Sequence, residues 1–519
     1  NGIAIPSGGV TANTAAITLS LRGIAGSTAT LSLASVDAVG AFLISSLDFS
    51  PKIATAAGTN ISINLSFSLT FAAQSGESLN LTLPGFRVPL AGTVAAGSIV
   101  VGGGASSALD IVMGVEEVQM RLITDVPANA AVVVTIPEAA SIHLPLAGVS
   151  SDIAGVKLKS TAVAGPSSGQ ALAQVAAVGV FTSSRLHFTL DPSNPAAAPV
   201  AGEAAPLLLS FSLNRVIAPG ERVLLLLPGF TGADVSSLPI SNLTVGADFS
   251  GSWDLDTASV ALEAVSGAVA GAELSLVVSS TAGIRLPSGG VTANDTAITI
   301  STNAAAGPSD PTAVLETEGV AAVSGHTLDL AGAAATVASN MTLSFTLSSP
   351  LSPGDTVSLL LPSFTGENSS SLAMATTSGG ADFSGSWAAV ESLVVLTAGA
   401  SAAGGSPITV VIHGSNGIAI PSGGVTANTA AITLFVQGRA GSSGAVSLSA
   451  VSPVGAFFST AVSFSPRVAT VAGLEVELSL AFRASVIMSR YDLVCPLPPP
   501  RAPAGPGRGP HEHNTFVRR

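Results

Sequence analysis

The sequence predicts an all-β chain: a tandem array of antiparallel β-sandwich domains of about 134–144 residues, ending in a disordered C-terminal tail. Three observations predict it: repetition at a long period, apolar alternation with a period of two, and turn residues that punctuate short strands. The repetition is literal. Asn1 to Leu19 recurs letter for letter at Asn416 to Leu434, a diverged copy runs from Gly283 to Ile300, and a fainter one surrounds Ile142, Leu144, Pro145 and Gly148. The prolines of this Pro-Ser-Gly-Gly-like turn stand at Pro6, Pro145, Pro287 and Pro421, and those of a Leu-Pro-Gly/Ser-Phe motif at Pro84, Pro228 and Pro362. Such spacing is domain-sized, whereas solenoid repeats run at roughly 20–50 residues, so separate domains in series are favoured over a continuous solenoid.

Within a copy, the strands follow from alternation. From Asn60 to Phe71 the inward set is Ile61, Ile63, Leu65, Phe67, Leu69 and Phe71, and Met341 to Leu347 repeats the pattern. Pro353-Gly354-Asp355 leads into Thr356–Leu361, and Pro219-Gly220-Glu221 into Arg222–Leu227, which reads as a hairpin turn. Further strands follow at Ser392–Leu396, Ile408–Ile412 and Ala431–Val436, giving about eight or nine per unit. Val223–Leu227 lacks alternation and is expected to be covered on both faces. Trp253 and Trp387, each closing an Ala-Asp-Phe-Ser-Gly-Ser-Trp motif, should fill equivalent core sites. No capped helical periodicity is present, so helix content should be small.

Dividing the chain at the glycines that close each copy gives residues 1–26 as the remnant of a preceding repeat, complete units at 27–165, 166–307 and 308–441, and a truncated unit at 442–484. Residues 485–519 are rich in Pro, Gly and Arg, cannot bury a core, and are expected to be disordered. A truncated or misread gene end explains this tail better than a functional one. Asn1 falls inside a motif, so the chain is expected to be a segment of a longer protein in which a signal peptide could not be seen.

Composition narrows the function classes. Only 9% of the 519 residues are charged, so Ser, Thr, Asn, Gly and Ala must fill the outward positions. A net charge of -13 repels a phosphate backbone, which argues against nucleic acid. No apolar run is long enough for a membrane-spanning helix. The single cysteine, Cys495, leaves the repeats without disulfides.

The residues offer little chemistry. His143, His187, His326 and His413 lack metal-ligand spacing, and His511-Glu512-His513 lies in the tail. Asp254 and Asp256 are the nearest approach to a calcium-type acidic pair. Glu116 and Glu117 are adjacent, so on a strand they would point to opposite faces. No nucleophile elbow, phosphate loop or metalloprotease helix occurs, and neither enzymatic activity nor a cofactor or metal is expected. The positive signal is a set of Asn-x-Ser/Thr sequons, candidate N-glycosylation sites at Asn60, Asn64, Asn80, Asn242, Asn294, Asn340 and Asn368. The first three fall on the polar side of their strands.

The ordered motifs Val-Gly-Ala-Phe (39–42 and 454–457), Leu-Pro-Gly-Phe-Thr-Gly (227–232), Ser-Gly-Ser-Trp and Gly-Ile-Arg-Leu-Pro-Ser-Gly-Gly-Val-Thr-Ala-Asn resemble the tandem repeats of very large surface or secreted proteins of unicellular algae. The resemblance covers nearly the whole chain up to Phe482 and supplies no catalytic residue. At fold level alone the units are similar to immunoglobulin-like adhesin arrays. The expectation is a non-catalytic extracellular or cell-surface array, a glycoprotein spacer whose many weak contacts with surface or matrix molecules, glycans among them, add up to attachment. The alternative is an array of carbohydrate-binding modules attached to a larger secreted protein, weakened because aromatics are 4% of the chain and mostly inward phenylalanine.

Overall fold

The computed structural model describes residues 4–24, 26–54, 58–88, 94–151, 155–189, 198–330, 332–378, 380, 382–465 and 477–485. Among them the chain is almost entirely β, and the helical elements are single 3-10 turns at Glu138–Ala140, Ser280–Ala282 and Gly414–Asn416. The strands lie where alternation places them. Ser62–Leu69 has Ile63, Leu65, Phe67 and Leu69 buried, with Ile61 and Phe71 continuing the row beyond its ends. Met341–Leu347 is the strand expected from its period of two.

The second unit shows the plan. The strands of its two main sheets are β1 (Phe181–His187), β2 (Leu207–Leu213), β3 (Arg222–Leu226), β4 (Ile240–Asn242), β5 (Phe249–Asp254), β6 (Ser259–Ala264), β7 (Glu273–Val278), β8 (Thr299–Thr302), β9 (Ser309–Ala313) and β10 (Glu316–Thr317). One sheet has the order β4-β7-β2-β1-β10 and the other β5-β6-β3-β8-β9. All ladders are antiparallel except β1–β10, which is parallel. The chain therefore leaves one sheet after β9 and crosses to the other for β10. The third unit repeats this order, from Val323–Asp329 through Ala450–Val451. In the first unit the counterparts of β4 and β5, Val94–Val101 and Ser107–Met113, pair with each other and join the two halves into one ten-stranded sheet.

Two sequence expectations are corrected. The Pro-Gly-Asp and Pro-Gly-Glu turns do not make hairpins, because β2 and β3 lie in opposite sheets and the turn is an arch over the core. Turn chemistry sets the reversal, but both strands have an inner face to bury, and facing each other across the core buries both. The acidic residue then ties the arch to the β8–β9 turn: Glu221 accepts from the N–H of Ala218 and of Ala305, each at 2.7 Å. Glu77 and Asp355 make the same pair of bonds in the other units. The second correction concerns Val223–Leu227, which is covered on one face only: Val223, Leu225 and Leu227 are buried, while Leu224 is 39% exposed. Leu replaces a polar outward residue there, and no second layer covers it.

Trp253 and Trp387 occupy equivalent buried sites, opposite Val260 and Val394 respectively. In the first unit Met113, opposite Val118, takes that place. Among the described residues the main sheets of each unit hold ten strands, more than expected, because the two-residue β10 is too short to leave a pattern in the sequence.

The packed cores run from Phe42 to Val178, from Phe181 to Val320 and from Leu328 to Val454. Each starts well after the glycine used to divide the sequence, at Phe42 after Gly26, Phe181 after Gly165 and Leu328 after Gly307. Gly165, Gly307 and Gly441 lie inside their units, in the β8–β9 turn, against Gly40, Gly179 and Gly319 at the unit's entrance. A Cβ on Gly179 would stand 2.2 Å from the carbonyl oxygen of Gly307, so the pair fits only as glycines. After the third core, Phe457–Ser465 and Glu477–Ala484 pair antiparallel as counterparts of β1 and β2. The tail from 486 onward lies outside the described residues.

Candidate functional site

The two recurrent motifs meet in space. In the third unit the Leu-Pro-Ser-Phe turn and the Pro-Ser-Gly-Gly-Val-Thr turn face each other across a groove of about 410 Å³, lined by Pro362, Phe364, Pro421, Thr426 and Thr429 among others. Its polar groups are hydroxyls and backbone, and no charged side chain lines it. It has room for a small neutral molecule but holds no acid, base or nucleophile pair for catalysis.

The glycine of the Pro-turn has a structural cause. Gly9, Gly148, Gly290 and Gly424 all have φ between 69° and 85°. A Cβ on any of them would lie 2.1–2.3 Å from the carbonyl oxygen of Val39, Val178, Val320 or Val454, in that order. The motif valine that follows pairs with the same residue: Val10 with Val39, Val149 with Val178, Val291 with Val320 and Val425 with Val454. The asparagine of the motif also serves the backbone, since Asn13, Asn294 and Asn428 accept through Oδ1 from Val36, Thr317 and Val451.

The sequons divide by accessibility. Asn60, Asn64, Asn294, Asn340 and Asn368 are exposed. Asn64, Asn340 and Asn368 use Oδ1 to accept from Thr135, Gly414 and Ala389. Asn80 and Asn242 are half-buried and commit Nδ2, the atom that would carry a sugar, to the fold. Asn242 Nδ2 donates to the Phe249 carbonyl at 3.3 Å. Asn80 lies on the polar side of its strand as expected, but its Nδ2 donates to Glu117 at 2.6 Å. Lys159 Nζ lies 2.6 Å from the same carboxylate oxygen. The Lys159 hydrogen bond, aided by the one from Asn80, outweighs desolvation and holds the Glu117 carboxyl below its ordinary range. Glu116 is on the adjoining turn with Oε1 accepting from Gly85 N–H, so the adjacent acids do separate.

Among the described residues, no three His, Cys, Asp or Glu side chains gather as a metal site. Asp254 and Asp256 are exposed, and Asp254 accepts from Thr257 N–H at 3.1 Å. His413 directly follows the strand Pro407–Ile412. His143 instead lies beyond the 3-10 turn, in an isolated bridge with Arg87. His187 stands 3.9 Å from Glu318. His511 and His513 lie outside the described residues.

Among the described histidines His326 is the one that is buried, and nothing in the sequence pointed to its role. It sits in the bulge of the third unit's first strand, 9% exposed, and its Nδ1 accepts from Ser449 N–H at 2.8 Å. In the other units the same bond, from the segment that crosses between sheets, goes to Ser45 from Ala173 and to Ser184 from Leu315. Burial pushes the His326 pKa below its ordinary value. Only alignment of the bulges in space reveals the substitution.

No family model and no curated protein matches the chain. Among solved structures it is similar to a chain described as biofilm associated protein, BSP domain, at 8% identity over 80% of this chain and 81% of that one, with a TM-score of 0.16. Among the described residues, no helix is long and apolar enough to cross a membrane.

Proposed function

We propose that the chain is a non-catalytic extracellular or cell-surface array, a spacer that presents weakly adhesive, glycosylated faces in series. The observation that carries this reading is the threefold return of one sandwich whose outward positions are largely small or polar residues, with five exposed sequons distributed along it. A surface with so few charges needs another source of solubility, and sugars at Asn60, Asn64, Asn294, Asn340 and Asn368 supply it. Attachment is multivalent: each unit contributes a small contact, and linkage raises the effective concentration of the next. The rival carbohydrate-binding array would use exposed aromatic rings to stack on sugars. Among the described side chains Phe457 alone of the phenylalanines is exposed, in the incomplete fourth unit.

Beads coated with chains of one, two or three units, secreted from a eukaryotic host, test the reading on a surface of matrix glycoprotein. The expected result is retention that grows far faster than in proportion to unit number, by roughly 10²-fold or more between one and three. Retention independent of unit number, or specific saccharide binding by one unit abolished by a single aromatic substitution, would refute it.

A further inference from the structure

We infer that each unit ends in a fixed docking surface whose partner is the next copy of the repeat, so that the array is a stiff rod and not a set of freely jointed beads. The inference is independent of the adhesive reading, since it concerns only how the units are joined.

The connecting segment has almost no free backbone. Between the first and second units it comprises residues 176–180. Ala176 N–H donates to Leu47 of the first unit, and Val178 exchanges both backbone bonds with Val149 at 2.8 and 3.1 Å. Gly179 N–H then donates to Pro308 of the second unit, and Val180 N–H to the Asn214 side chain at 2.8 Å. Asn214 spans the joint, because its Nδ2 donates back to the Ala147 carbonyl of the first unit at 2.8 Å.

The next segment, residues 318–322, repeats the bonds of the connecting segment itself. Glu318 N–H donates to Leu186, Val320 pairs with Val291, Ala321 N–H donates to Ser442, and Ala322 N–H goes to Ser348, which stands where Asn214 stood. A third copy leads into the incomplete unit, where Ser452 donates to Leu328, Val454 pairs with Val425, and Ala456 donates to Ser485. The Pro-turn glycine is required here because its carbonyl partner belongs to the connecting segment.

A second contact, away from the connecting segment, fixes the rotation. The loop after the first unit's first strand reaches β9 of the second: Lys52 N–H donates to the Asp310 carboxylate at 2.7 Å, and Asp310 N–H to the Lys52 carbonyl at 3.2 Å. The corresponding loop of the second unit meets the third, where Gly444 N–H donates to the Pro199 carbonyl at 3.1 Å. A Cβ on Gly444 would lie 2.0 Å from the Ala198 oxygen, so the approach is close. Together with the Asn214–Ala147 bond, the Lys52–Asp310 pair ties the first two units outside the connecting segment, and a swivel about that segment would break both.

The test is an electron–electron distance measurement on the full chain in a Cys495→Ser background, with spin labels at Gln119→Cys and Leu224→Cys, on outer strand faces of the first and second units. The expected result is one narrow distance peak. Combining Asn214→Ala and Asp310→Ala with Gly148→Val should replace that peak with a broad distribution, while thermal unfolding measured by circular dichroism shows the units still folded. Asn214→Ala with Asp310→Ala alone gives the intermediate case if Gly148→Val prevents folding, and should already broaden the peak. A broad distribution in the parent overturns the inference. So does a narrow peak that survives these changes in folded units.

Discussion

Acidification should loosen the third unit while sparing the second, because His326 does with a titratable nitrogen what Ser184 does with a hydroxyl. Nδ1 can accept from Ser449 N–H only when the imidazole is neutral. Burial depresses its pKa below 6.5 in the folded unit, whereas the unfolded chain titrates near that value. Between the two values the unfolded chain holds a proton that the folded unit refuses. The contribution is therefore complete above about pH 6.5 and is lost as pH falls from there toward the lower folded value. An unpaired buried N–H costs about 1–3 kcal/mol, but Ser449 N–H also lies 3.0 Å from the His326 carbonyl, which keeps the loss to about 1–2 kcal/mol. For a domain of this size that is a fall in midpoint of roughly 3–10 °C. The chain's only two tryptophans make the assay selective. Trp253→Phe leaves Trp387 to report the third unit, and Trp387→Phe leaves Trp253 to report the second. The Trp387 midpoint should fall between pH 7.5 and 5 relative to that of Trp253, and His326→Ser should abolish the difference. Equal pH dependence in both units, or a difference that persists in His326→Ser, would refute the reasoning.

Three further outcomes follow from the same geometry. Glu117→Gln should remove a contribution from the first unit that is present above the ordinary carboxylate range and lost as pH falls through the depressed folded value. Because the pair is about a third exposed, the effect should stay within about 1 kcal/mol in a denaturant titration at pH 7. Gly179→Ala, whose Cβ would strike the Gly307 carbonyl, should lower the second unit's Trp253 midpoint through about 1–3 kcal/mol of overpacking, while Gly289→Ala in the same unit, exposed and with nothing within 4 Å of the added Cβ, should cost less. Peptide mapping of secreted protein should find sugar at Asn60, Asn64, Asn294, Asn340 and Asn368 and none at Asn80 or Asn242, whose amide nitrogens are already used.

The inward residues of the strands were readable because burial on one face of a sheet imposes a period of two, as at Ile61 to Phe71. The pairing of those strands was less so. Pro-Gly-Asp specifies a reversal, but nothing local distinguishes a hairpin from an arch, and the answer depends on distant partners such as Arg222 to Glu263 for β3 and Leu209 to Leu276 for β2. A two-residue parallel strand such as Glu316–Thr317 is too short for periodicity to register. The Pro-turn motif stood out as a repeat, yet its purpose became visible only with the Val178 carbonyl placed against Gly148. Sequons are local strings, whereas the occupation of Asn80 Nδ2 depends on Glu117 in the adjacent strand.

Amide hydrogen exchange resolved along the full chain tests most directly the claim that three like sandwiches close separately and are joined without slack. Strands β2, β3 and β7 of the second unit and their counterparts in the first and third should be protected together, and the amides of 176, 178, 179 and 180 should exchange nearly as slowly as the strands they join. Exchange at unstructured rates across 176–180 and 318–322, or protection confined to a single unit, would contradict the account.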